Sequence, residues 1–137
     1  MKVSRWRKAA VVSAVAFAGL SAAHLTDDFA ANVPQEFNLS PALAEILALV
    51  YMTALVGLVA FAAKGSRHAY IGLIAAGLII ALAQILKSVP EILAPGPWHL
   101  GVVSESLALG LLVAAVAAAI TSLLALRAES RRPTSPD

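Results

Sequence analysis

The sequence predicts an all-α protein, a transmembrane four-helix bundle running up-down-up-down with both N and C termini cytoplasmic. Three observations carry that expectation. Hydrophobic residues make up 60% of the 137 and charged residues only 13%, a balance far from that of water-soluble domains. Four apolar stretches, at about residues 6–25, 41–63, 69–86 and 100–126, approach the ~20 residues that cross a hydrocarbon core about 30 Å thick. Nine of the ten Lys and Arg residues then fall on one side of the topology, and six of the eight carboxylates on the other. Basic loops mark the cytoplasmic face, so the charge asymmetry sets the orientation.

The first span follows Lys2, Arg5, Arg7 and Lys8, with Trp6 at the inner boundary where an aromatic belt belongs. Ser21-Ala22-Ala23 also resembles the end of a cleavable signal peptide, and cleavage would leave three spans. The length of the first apolar run and the three that follow it favour retention. Asp27, Asp28 and Glu36 then mark the outer side.

The second span opens on Ser40-Pro41, an N-cap followed by proline at the first helical position. That role also accounts for Ser40 within the formal glycosylation sequon Asn38-Leu39-Ser40. Lys64-Gly65-Ser66 and Arg67 form a short inner turn, and short turns favour antiparallel neighbours. The fourth span opens after Gly96-Pro97, with Trp98 at the outer boundary. Arg127, Arg131 and Arg132 return the chain to the inner side, leaving 1–126 as one transmembrane domain and 127–137 as a disordered cytoplasmic tail.

The outer loops share a short pattern, Asn32-Val33-Pro34-Gln35 and Ser88-Val89-Pro90-Glu91, which reads as two short interfacial turns or as the trace of a duplicated helical hairpin. Gly72-xxx-Ala76, Gly77-xxx-Ala81 and Gly110-xxx-Ala114 offer small faces where helix backbones can approach.

Several functions are excluded at this level. The chain has no cysteine, which removes thiol redox chemistry, thiolate metal sites and iron–sulfur clusters. The net charge of +2 comes from bases that flank spans, so positive-inside sorting explains it and nucleic acid is not an expected partner. Residues 9–23 carry no acid, whereas small multidrug exporters depend on a glutamate buried in their first helix. No nucleophile triad, Walker loop or dinucleotide fingerprint occurs in a supporting context, and a non-enzymatic protein is expected.

Glu45 and Glu105 fall inside otherwise apolar helices, where an unpaired carboxylate is expensive, so both are expected to face the bundle interior. Gln84 and Lys87 lie one turn apart on the third span, and Lys87 is the sole base on the outer side. The expected site is a cluster of Glu45, Gln84, Lys87 and Glu105 supported by Tyr51 and Ser104. It reads either as a binding site for a cation, proton or small polar ligand, or as an ion pair that registers three helices. His24, Asp27 and Asp28, spaced i, i+3, i+4, would share a face if the first helix continues. With His99 they give a weaker candidate for a divalent cation or haem, while His68 lies on the opposite side.

The leading expectation is a small accessory or partner-binding protein of a prokaryotic cytoplasmic membrane, meeting the lipid bilayer and either other membrane subunits or copies of itself. The alternative is a small transporter or ion-binding protein using Glu45, Lys87 and Glu105. The third reading is a haem- or quinone-binding membrane protein.

Overall fold

Alanine, leucine and valine dominate the apolar stretches, and between the loops each stretch forms one continuous helix. The computed structural model describes residues 4–36, 38–93 and 101–131, of which 91 and 92 are described by backbone alone. Five helices result: α1 (Arg5–Ala30), α2 (Val33–Glu36), α3 (Pro41–Ala63), α4 (Arg67–Leu93) and α5 (Gly101–Ser130). Among the described residues there is no strand. Four of the helices, all but α2, are long and apolar enough to cross a membrane.

Local chemistry fixes the helix ends. Ser4 caps α1 by accepting from the Arg7 N–H at 3.1 Å, and Ser40 caps α3 by accepting from the Leu43 N–H at 3.3 Å, as the Ser40-Pro41 pair predicts. The α3–α4 turn is a Schellman motif: the Ser66 N–H donates to the Phe61 carbonyl, the Gly65 N–H donates to that of Ala62, and Gly65 sits at φ +82°. After α1, Asn32 takes the same left-handed role at φ +59°, a conformation asparagine tolerates better than most residues.

Three elements extend further than the sequence predicts. α1 continues past Leu25 to Ala30, and α5 reaches Ser130, into the segment expected to be a disordered tail. α4 runs through Pro90 to Leu93, so Ser88-Val89-Pro90-Glu91 is helix and not a separate turn, while Val33–Glu36 does form a short helix of its own. Proline near a helix end forfeits little more than one hydrogen bond, so α4 tolerates it there. The expected helix opening at Gly96-Pro97, together with Trp98, His99 and tail residues 132–137, lies outside the described residues.

α5 packs most extensively, against α4 on one side and α1 on the other. It does so with a buried stripe at helical spacing that is small except at Leu111, comprising Ala108, Leu111, Ala115, Ala118, Ser122 and Ala125. At Gly77 the α4 backbone approaches α5 so closely that a Cβ built there would stand 2.5 Å from the Ala115 carbonyl oxygen. Of the three small-residue pairs in the sequence, the one beginning at Gly77 is therefore a close helix contact. α3 completes the ring between α1 and α4 but is held more sparsely, with only Ala44, Leu55 and Ala62 buried along its length.

One charged contact ties the α3–α4 turn end of the bundle together. The Arg7 guanidinium of α1 reaches Glu129 of α5 at 3.3 Å, with both side chains 18% exposed, and it also lies against Gly65. A side chain at Gly65 would collide with that guanidinium and force a left-handed backbone on a residue with a Cβ. Gly65→Ala is expected to destabilise the protein by roughly 1–3 kcal/mol, read as a lower thermal midpoint in detergent.

Candidate functional site: a polar cleft between three helices

On α1, Ala10, Ala14, Phe17 and Ser21 form the buried stripe, and the same three- and four-residue spacing carried onward brings His24 and Asp28 to the bundle side. This happens because α1 does not stop at Leu25. Opposite them, α3 contributes Tyr51, and α4 contributes Gln84 and Lys87. These side chains line a cleft of about 390 Å³ between α1, α3 and α4, at the end of the bundle where α2 lies. Val33 and Pro34 of α2 close that end, and Ile80 and Leu111 belong to the apolar wall. The volume falls within the roughly 300–1,000 Å³ typical of small-molecule sites.

Two hydrogen-bonded units interrupt the apolar wall. The Ser21 and Tyr51 hydroxyls meet at 2.9 Å, joining α1 to α3. About one helical turn along α1, the Ser88 hydroxyl donates to Gln84 Oε1 at 2.6 Å, and Gln84 Nε2 stands 3.1 Å from His24 Nε2. This chain of bonds orients the amide. With Oε1 accepting from Ser88, the Gln84 NH₂ donates to His24 Nε2, and the neutral imidazole carries its proton on Nδ1. His24 Nε2 is also 3.7 Å from Asp28 Oδ2, one turn further along α1.

Among the described residues at this end of the bundle, the buried His24 Nδ1 and Glu105 Oε2 make no hydrogen bond. Glu105 is 3% exposed and Ser104 beside it is also buried, both on α5. The close approach of Gly77 to Ala115 fixes the antiparallel register of α4 and α5, and it puts Glu105 at about the level of Ser88. A buried carboxyl with an unsatisfied oxygen opposes folding. Glu105→Met is accordingly expected to stabilise the protein by about 1 kcal/mol or more, read as a higher midpoint in a chemical or thermal melt in detergent.

The residues expected from sequence separate into three places. Tyr51, Gln84 and Lys87 line the cleft, together with His24 and Asp28, which were expected to form a separate metal site. Ser104 and Glu105 are buried on α5 but do not line it. Glu45 does not face the interior: Ala44 is the buried residue and Glu45, about 100° further round α3, is exposed. Asp27 is partly exposed and does not line the cleft, and His68 is exposed at the other end of the bundle. No group of three His, Cys, Asp or Glu side chains among the described residues is placed to hold a metal ion, and His99 lies outside them.

Sequence reasoning missed Ser21 and Ser88. Ser21 was legible in principle, because it prolongs an apolar stripe that ends in His24. Ser88 required knowing that α4 continues past Leu86, which puts Ser88 one turn beyond Gln84.

Comparison with protein families, curated proteins and solved structures finds no match. The chemistry of this site therefore rests on its own geometry.

Proposed function

We propose that this chain is a four-span protein of a prokaryotic cytoplasmic membrane, with both termini on the cytoplasmic side, that binds a small amphipathic ligand in the cleft between α1, α3 and α4. The observation that carries this reading is the cleft: an apolar slot of about 390 Å³ with hydrogen-bonding groups from three helices. In this orientation α2 and the cleft lie on the outer side, and the Arg7–Glu129 contact lies on the inner side. The protein acts by binding rather than by catalysis. Leu47 and Ala83, both exposed, lie along the α3 and α4 walls, so a ligand dissolved in lipid can enter sideways between these two helices.

The sparse docking of α3 fits this role, since opening the slot requires α3 to release only three buried side chains of its own and the Ser21–Tyr51 bond. The test is to fill the cleft. Ala48→Trp should remove a small molecule that co-purifies with the wild-type protein in native mass spectrometry after gentle detergent extraction. Retention of the same mass by that variant would refute the cleft as the binding site.

A second reading, an accessory subunit whose partner packs on α3, is favoured by Glu45. This carboxylate stands exposed on a helix surface otherwise made of Leu43, Ile46, Leu49 and Val50. A cationic or hydrogen-bond-donating partner at the membrane surface would satisfy it. A companion chain lost from the extracted complex on Glu45→Leu would support that reading. The transporter reading built on Glu45, Lys87 and Glu105 has less support, because the three occupy surface, cleft and α5 interior respectively.

A further inference from the structure

From the hydrogen-bonding capacity of the cleft walls we infer the chemistry of its occupant: a neutral, lipid-soluble molecule carrying two carbonyl oxygens, of which a 1,4-quinone is the compact form. The inference rests on the cleft reading above and adds to it what the ligand must present.

The Ser21–Tyr51 bond uses one of two hydroxyl protons. Ser21 is 1% exposed while Tyr51 is half-buried beside the cleft, so when Ser21 donates, the Tyr51 O–H is left to point into the slot. Gln84 is placed similarly. Its carbonyl accepts from Ser88 and one N–H goes to His24, which leaves its second N–H to give. With Ser21 donating, Tyr51 and Gln84 therefore each have a donor to give to an occupant. The two donors come from different helices, Tyr51 from α3 and Gln84 from α4, with apolar Ala48, Ile80 and Ala83 among the remaining wall. An occupant with an acceptor toward each helix and an apolar body between satisfies both, whereas a hydrocarbon satisfies neither.

Charge argues for a neutral occupant. Asp28 and Lys87 both line the cleft, so the site presents one acid and one base and no excess of either sign. With one charge of each sign in the wall, neither an anionic nor a cationic head gains a net attraction, and either would need desolvation in an apolar slot. A carbonyl oxygen incurs little of that penalty. Ring dicarbonyls and the ester carbonyls of a glycerol lipid share this chemistry, and they differ in shape.

The test uses the full chain reconstituted in lipid nanodiscs, titrated with decyl-substituted benzoquinone, with dioctanoylglycerol as the diester, and with decylbenzene as a carbonyl-free control of similar apolarity. Binding is followed by calorimetry. The inference expects saturable binding of the quinone or the diester, whichever shape the cleft accepts, and at least tenfold weaker binding of decylbenzene. Tyr51→Phe and Gln84→Leu should each weaken carbonyl binding roughly three- to tenfold, the loss of one hydrogen bond, and leave decylbenzene binding unchanged. Tyr51→Phe removes a single oxygen, so it reports even where Gln84→Leu does not fold. Equal binding of decylbenzene and the quinone would overturn the carbonyl inference while leaving the cleft as a ligand site. Failure of all three probes to bind wild-type protein, together with no co-purifying small molecule, would overturn both.

Discussion

Replacing Gly77 with leucine is expected to unfold the bundle or split α4 from α5. A Cβ there would meet the Ala115 carbonyl oxygen at 2.5 Å and the Ala119 Cβ at 3.1 Å. The first of these atoms is backbone, which cannot swing aside, so the helices must separate. Separation would loosen the most extensive contact in the molecule along the alanine stripe from Ala108 to Ala125. Dispersion falls steeply with distance, so even a shift of 0.5–1 Å forfeits roughly a quarter to a half of each contact. Gly77→Ala alone should destabilise by about 1–3 kcal/mol, and Gly77→Leu by more. The control is Gly57 on α3, where a Cβ would meet nothing within 4 Å. Gly57→Ala should be neutral or stabilise by up to about 1 kcal/mol through helix propensity. Equilibrium unfolding in mixed detergent micelles measures both. Equal midpoints for Gly77→Ala and Gly57→Ala would mean that α4 and α5 do not approach as described.

The second large effect is expected at Gln84. This side chain is 8% exposed and joins His24 on α1 to Ser88 on its own helix. Leucine fills a similar volume but neither donates nor accepts. It would leave His24 Nε2 without its donor on an imidazole whose Nδ1 already has no partner. Each polar group stranded in the interior costs about 1–3 kcal/mol, although Ser88 can turn its hydroxyl back to a carbonyl of its own helix. A net loss of about 1–3 kcal/mol is therefore expected for Gln84→Leu, from His24 alone. Double substitution locates the loss. With His24→Leu also present, the further cost of Gln84→Leu should fall by at least half, since no imidazole remains to strand. Strict additivity of the two substitutions would show that His24 and Gln84 are not coupled.

These two sites differ in how far the sequence revealed them. The four long helices were legible because unbroken apolar runs of spanning length admit few other structures, and Ser40-Pro41 announced its cap. Polar helix ends were less legible: Thr26 through Ala30 and Lys87 through Leu93 look like loop by hydropathy, yet intrahelical hydrogen bonding carries both helices on. The direction in which each side chain points was the least legible of all. α3 is apolar on every side, so nothing in its pattern distinguishes the face of Ala44 from that of Glu45. Only the packed neighbours decide, and they placed the smaller residue inside. Gln84 and Lys87, which line the cleft, stood out in the sequence because polar residues within α4 are few. The link from Gln84 to His24 joins residues 60 apart in sequence, a pairing no local pattern encodes.

The absence of cysteine allows a direct test of the proposed membrane arrangement, because any single introduced thiol is the only one present. Asn38→Cys, Ser66→Cys and Ser130→Cys place it between α2 and α3, in the α3–α4 turn and at the end of α5. Intact cells treated with a membrane-impermeant maleimide should label the protein carrying Asn38→Cys, while Ser66→Cys and Ser130→Cys should react only after the membrane is opened. Labelling of Ser66→Cys and Asn38→Cys from the same side, or recovery of the protein in the aqueous phase without detergent, would contradict the four-span arrangement on which the cleft's access from lipid depends.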